Sequence, residues 1–148
     1  IPIYWLTDAK LVLPSVIITT LWCDLGYNLV LIMAGLESIP KMFYEAAYID
    51  GANSLQTFFK VSLPLMVRNM LFVSIMTCIS YFQVFAQIQI MTAGGPDNAS
   101  QVLAFDIYQN AFQFMRMGYA SAMAVVLLAL ILIVSLLQLV SVKIDWEY

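Results

Sequence analysis

The stretch Glu45-Ala46-Ala47-Tyr48-Ile49-Asp50-Gly51, followed after nine residues by Val61-Ser62-Leu63-Pro64, decides how the rest of the chain is read. Pro40 suits the first turn of a helix through Tyr44 and Tyr48, because its φ is preset and its missing N–H is not needed there. Gly51 is placed to end that helix with a reversal that a residue bearing a β-carbon resists. Glu45 is suited to cap or pair at the helix start. Ala46 and Ala47 give one face a low profile, so that a partner surface can approach the backbone closely. A second short helix is expected from about Ser54 to Lys60, and Pro64 then sets the angle at which the chain rises into the next segment. The product is a compact helix–turn–helix with a long apolar run on either side.

Those flanking runs fix the solvent. The chain is 63% hydrophobic and 10% charged, whereas a soluble domain carries about a quarter of its residues as charges. Three stretches are long enough to cross a bilayer, which takes about 20 helical residues. They run from about 11 to 35, from 69 to 91 and from 119 to 142, the last being the most apolar. The fold class is therefore an all-α integral membrane bundle with three spans and the helix–turn–helix between the first two. The intervening segments 37–68 and 92–118 mix aromatic, aliphatic and polar residues and are expected to carry short helices rather than disorder. Gly94-Gly95-Pro96-Asp97-Asn98 is a turn signal, and 101–115 reads as a helix lying at the interface.

Basic residues orient the bundle. Lys41, Lys60, Arg68 and Lys143 lie on one side, and Lys10 and Arg116 on the other. This four-to-two bias places the Glu45 segment and the C-terminal end in the cytoplasm, with 92–118 outside. Trp146 and Tyr148 read as interfacial anchors. The net charge of −3 says little in a membrane chain, and no basic cluster suggests nucleic acid. The chain has no histidine, and Cys23 and Cys78 are too far apart for a zinc motif, so no metal site is expected. Both cysteines sit in apolar runs and read as buried, reduced thiols. The first residue is Ile1, not Met, and no signal-peptide pattern appears, so the chain is expected either to have lost an N-terminal piece or to begin partway through a longer protein.

The spacing Glu-Ala-Ala, three residues, Gly, nine residues, Val61, one residue, Leu-Pro resembles the EAA loop of ABC importer permeases, with Val61 where the family has isoleucine. The segments 36–52, Met91-Thr92-Ala93-Gly94-Gly95-Pro96 and Gly118-Tyr119-Ala120-Ser121-Ala122-Met123 resemble the sugar-type branch, similar to maltose and glycerol-3-phosphate permeases. The resemblance implies the C-terminal part of a permease transmembrane domain in a bacterial inner membrane. It implies that Glu45, Ala46, Ala47, Asp50, Gly51, Leu63 and Pro64 couple to a separate ABC ATPase dimer. A second, different permease subunit and an extracytoplasmic solute-binding protein would complete the importer. The chain has no Gly-x-x-x-x-Gly-Lys-Ser/Thr loop, so it is expected not to be an enzyme and to hold no cofactor. ATP and magnesium would belong to the partner.

Polar residues inside spans default to functional candidates. In the first span these are Thr20, Asp24 and Asn28, with Trp22 and Tyr27 beside them; in the second they are Thr77, Ser80, Tyr81 and Gln83. Rings next to hydroxyls and amides suit a sugar, the ring stacking on C–H faces while polar groups meet hydroxyls. Trp22, Asp24, Tyr27, Asn28, Thr77 and Tyr81 are the substrate-path candidates. Two other functions fit the spans without explaining the EAA spacing. One is a fragment of an ion-gradient-driven transporter with Asp24 as its ion site. The other is a membrane scaffold with no path.

Overall fold

A computed structural model describes residues 5–141, all in helices, turns and short connections, with no strand among them. The elements follow the chain as α1 (Val12–Glu37), α2 (Lys41–Ile49), α3 (Ser54–Thr57), α4 (Leu63–Phe82), α5 (Ala86–Met91), α6 (Leu103–Tyr108) and α7 (Met117–Ser141). Single π turns, Phe58–Ser62 and Gln109–Gln113, join α3 to α4 and extend α6. Three helical runs are long and apolar enough to cross a membrane, and each buries little of its surface within the chain. The expected all-helical three-span architecture is the one observed. Trp146, Tyr148 and Lys143 lie outside the described residues.

α4 is the middle helix of the layer, packed by α1 on one side and α7 on the other. The contact ridge of α1 follows the helical repeat: Val12, Val16 and Thr20 are buried, and Asp24, Asn28, Leu31 and Gly35 continue the same face half-buried. Hydroxyls on this helix meet the demand that lipid places on polar groups by bonding back into their own helix. Ser15 Oγ donates to Leu11 O at 2.7 Å, Thr19 Oγ1 to Ser15 O at 3.0 Å and Thr20 Oγ1 to Val16 O at 2.9 Å. Thr20 is thus spent on structure. Where α1 crosses α4 the backbones come close: Asn69 Nδ2 donates to Leu31 O at 3.1 Å, and a β-carbon on Gly35 would fall on the Asn69 carboxamide.

The second apolar run is not one straight helix to Met91. α4 ends at Phe82, the chain turns through Gln83, Val84 and Phe85, and α5 resumes at Ala86. The turn lets α5 fold back onto the start of α1, where Val16, Ile88 and Phe105 form the core with Val84, Phe85, Met91 and Val102 around them. Phe85 stacks on Phe105 and tilts against Tyr108. The following loop is tied by Ser100, fully buried, whose hydroxyl donates to Gly95 O at 2.7 Å and shares a 2.8 Å hydrogen bond with Thr92 Oγ1. The helix expected over 101–115 is α6 with its π turn, running from Leu103 to Gln113.

Candidate coupling elbow and solute groove

α2 and α3 form an elbow at one end of the layer. α2 starts after Pro40, and its C-terminus closes in a Schellman arrangement. Asp50 is the C-cap, Gly51 N–H donates to Tyr48 O at 3.0 Å, and Ala52 N–H donates to Ala47 O at 2.9 Å. Gly51 takes φ +73°, which is the conformation its sequence position predicts. Asn53 then caps α3 reciprocally with Gln56: Gln56 N–H donates to Asn53 Oδ1 at 2.8 Å, and Asn53 N–H donates to Gln56 Oε1 at 3.0 Å. Tyr44 Oη and Ser62 Oγ share a 3.2 Å hydrogen bond that holds α2 against the π turn.

Two details differ from expectation. Glu45 is exposed in the second turn of α2 and does not cap its start, because the helix begins four residues earlier, at Lys41. Ala46 and Ala47 also do not present one joint face. Ala46 is exposed, whereas Ala47 turns inward and is buried in the elbow. The small side chain at Ala47 therefore serves the elbow's own packing.

Pro64 lies in the first turn of α4, directly after the π turn. A proline there removes one backbone donor and its ring crowds the carbonyl four residues back. The wider turn accommodates this: Leu63 N–H reaches back five residues to Phe58 O. The helix consequently runs from Ser54 to Phe82 without a break.

A second feature lies between the spans. An open groove of about 630 Å³ is lined by Asn28 and Ile32 of α1, by Ser74, Thr77 and Tyr81 among others of α4, and by Gln138 of α7. Thr77 Oγ1 donates to Asn28 Oδ1 at 2.9 Å, and Gln138 Nε2 approaches Ser74 Oγ at 3.4 Å. Asp24 is half-buried one turn from Asn28 on the same ridge and within electrostatic reach of Tyr81. Tyr81 is also shared with a narrower, largely apolar cavity against Thr20 and Ile88.

With this geometry in place, comparison with known proteins is direct. Residues 1–143 match the family described as binding-protein-dependent transport system inner membrane component. The chain belongs to that family. It is a multi-pass inner-membrane transport component. The permease chain is 41% identical over 136 residues to the probable ABC transporter permease protein YurN of Bacillus subtilis, covering 91% of this chain and 46% of that protein. It is 41% identical over 123 residues to the multiple sugar-binding transport system permease protein MsmF of Streptococcus mutans, covering 83% and 42% respectively. In fold it superposes with TM-score 0.81 and 23% identity on a chain of a bacterial alginate ABC transporter crystallised with an alginate pentasaccharide-bound periplasmic protein. That match covers 93% of this chain and 48% of the other. This chain thus spans about half the length or less of each of these three proteins.

Within the permease chain, the six path candidates separate. Asn28, Thr77 and Tyr81 line one groove and Asp24 borders it. Trp22 is 79% exposed, roughly a third of a turn around α1 from Asn28, and Tyr27 is also exposed. Ser80 and Gln83 are exposed as well. Cys23 is exposed and Cys78 half-buried; both are free thiols, so the expectation of two buried cysteines fails for Cys23. Ser74 and Gln138 belong to the groove, yet nothing in a hydropathy reading of their spans marks Ser74. Gln138 was visible as a lone carboxamide in the most apolar run.

Proposed function

We propose that this chain is the C-terminal part of a permease subunit of an ATP-driven importer for a sugar or sugar-like solute. Its elbow would couple to a separate ABC ATPase dimer in the cytoplasm. A second permease subunit, an extracytoplasmic solute-binding protein and the lipid bilayer would complete its surroundings. It is not an enzyme in this reading: ATP hydrolysis occurs in the partner.

One observation carries the coupling role. The elbow presents Tyr48, Ile49 and Leu55 at its tip, all at least 70% exposed. The same elbow runs unbroken through the π turn into the span that bears Thr77 and Tyr81. Apolar side chains at a solvent-facing tip mark a surface meant for a protein partner. Of the proposed coupling residues, Glu45, Ala46, Asp50 and Gly51 are exposed, Ala47 is buried in the elbow, and Leu63, half-buried, and Pro64, exposed, open the span that rises from it. The sugar assignment rests on the name of MsmF and on the pairing of amide, hydroxyl and phenol groups in the groove.

In the cycle that follows, the binding protein delivers solute to the 92–118 side. ATP binding closes the ATPase dimer, and α2 and α3 move with it. α4 then exposes the groove to the opposite side of the membrane.

The test uses the full permease complex in proteoliposomes. A cysteine at Ala46, with Cys23 and Cys78 removed, should crosslink to the ATPase and resist labelling by membrane-impermeant reagents added outside. Uptake of labelled sucrose, maltose or raffinose should require ATP and survive collapse of the ion gradients. Outside labelling at position 46, or uptake that follows the gradient instead of ATP, would overturn the proposal.

A further inference from the structure

We propose that Gln138 makes α7 a hydrogen-bonding contributor to the solute groove and helps set which sugars pass; this rests on the importer reading above. The packed face of α7 is otherwise apolar or small, with Ala120, Leu127 and Ile131 buried along it, until it reaches Ser135 and Gln138. A carboxamide in a membrane span is costly unless it is paired or faces a polar route. Here it is held at one end only. Nε2 meets Ser74 Oγ across 3.4 Å, a long contact, and Oε1 is buried without a partner.

The other polar side chains of the groove differ. Asn28 Oδ1 already accepts the Thr77 hydroxyl at 2.9 Å, which uses the pair's one hydroxyl hydrogen and part of the amide oxygen, leaving the amide hydrogens and the Thr77 oxygen lone pairs. Gln138 has its acceptor unspent. A polyhydroxylated solute needs acceptors as well as donors, and the terminal torsion of a glutamine is soft enough to swing its oxygen towards the groove without moving the backbone. The Ser74 contact is weak enough to yield when a solute hydroxyl arrives. Gln138 would then face Asn28, Thr77 and Tyr81 across one open space of about 630 Å³.

The test is a set of variants in the reconstituted complex: Gln138→Leu, Gln138→Asn and, separately, Ser135→Ala. Uptake of labelled sucrose, maltose and raffinose is measured beside ATP hydrolysis stimulated by the loaded binding protein. Gln138→Leu should lower uptake of at least one sugar by about five- to tenfold, the loss of one hydrogen bond made in passage. It should change the ranking of the three sugars and leave stimulated hydrolysis within about twofold. Gln138→Asn should restore part of the lost uptake, and Ser135→Ala, on the packed face of α7 but outside the groove, should leave the ranking unchanged. Equal loss for every sugar with hydrolysis falling in parallel, or the same pattern from Ser135→Ala, would reduce Gln138 to helix packing and overturn the proposal. A wild-type complex that imports none of the three would instead bring down the sugar reading itself.

Discussion

Replacing Gly51 separates the conformational demand of the elbow from its contacts. A β-carbon built at this position meets nothing within 4 Å, so alanine introduces no clash. The penalty comes from φ +73° alone, a left-handed conformation that costs an L-residue about 1–2 kcal/mol. Asparagine tolerates that region better and should cost a fraction of this. Proline cannot adopt the angle at all, and it also removes the N–H that donates to Tyr48 O at 3.0 Å, about 1 kcal/mol more. Local opening of the elbow should therefore rise in the order glycine, asparagine, alanine, proline, by roughly tenfold for alanine. Hydrogen exchange of peptides covering 41–62 in the reconstituted complex reads this opening, and sugar imported per ATP hydrolysed reads its consequence. The ratio should fall in the same order while the protein stays in the membrane. Normal exchange and normal coupling in Gly51→Pro would refute the reasoning, since no proline can hold the Schellman turn.

Three further outcomes follow from the packing. Gly35→Ala should lower the thermal midpoint of the purified complex by an amount matching about 1–3 kcal/mol, because its new methyl group falls on Asn69; adding Asn69→Ala should recover part of the loss. Asn28→Leu and Thr77→Val should show a coupling energy of about 0.6 kcal/mol in a double-mutant stability cycle, the usual worth of an interhelical hydrogen bond in a membrane. Ser100→Ala should loosen the 92–100 loop by about 1 kcal/mol, seen as faster exchange at its amides, since Gly95 O loses the hydroxyl that donates to it while Thr92 Oγ1 keeps its bond to Ile88 O.

The helix–turn–helix and the three spans were legible because their signals are local. Gly51 announces a positive φ by its identity, and runs of 20 or more apolar residues need no tertiary context; the reciprocal cap of Asn53 and Gln56 is equally local but went unread. What escaped depends on other helices. The break at Gln83 exists because α5 gains the Ile88 contact with Val16 and Phe105, which no pattern within 69–91 encodes. The inward turn of Ala47 is decided by the π turn behind it. Trp22 and Asp24 are two residues apart and look equivalent in a list of polar or aromatic span residues. The helical repeat nevertheless puts them on different faces, and only the position of α4 says which face matters.

Helical continuity from Ser54 to Phe82 makes the elbow and the far end of the span a single mechanical body, about 40 Å long at helical rise. A tilt of about 10° at its foot would displace its head by about 7 Å, comparable with the width of a sugar ring. The wide turn at Phe58–Ser62 is then the one place along that body where such a strut can flex. Spin labels at Ser54 and Phe82 would keep their separation through nucleotide binding if it stays rigid, and shorten it if the turn is a joint.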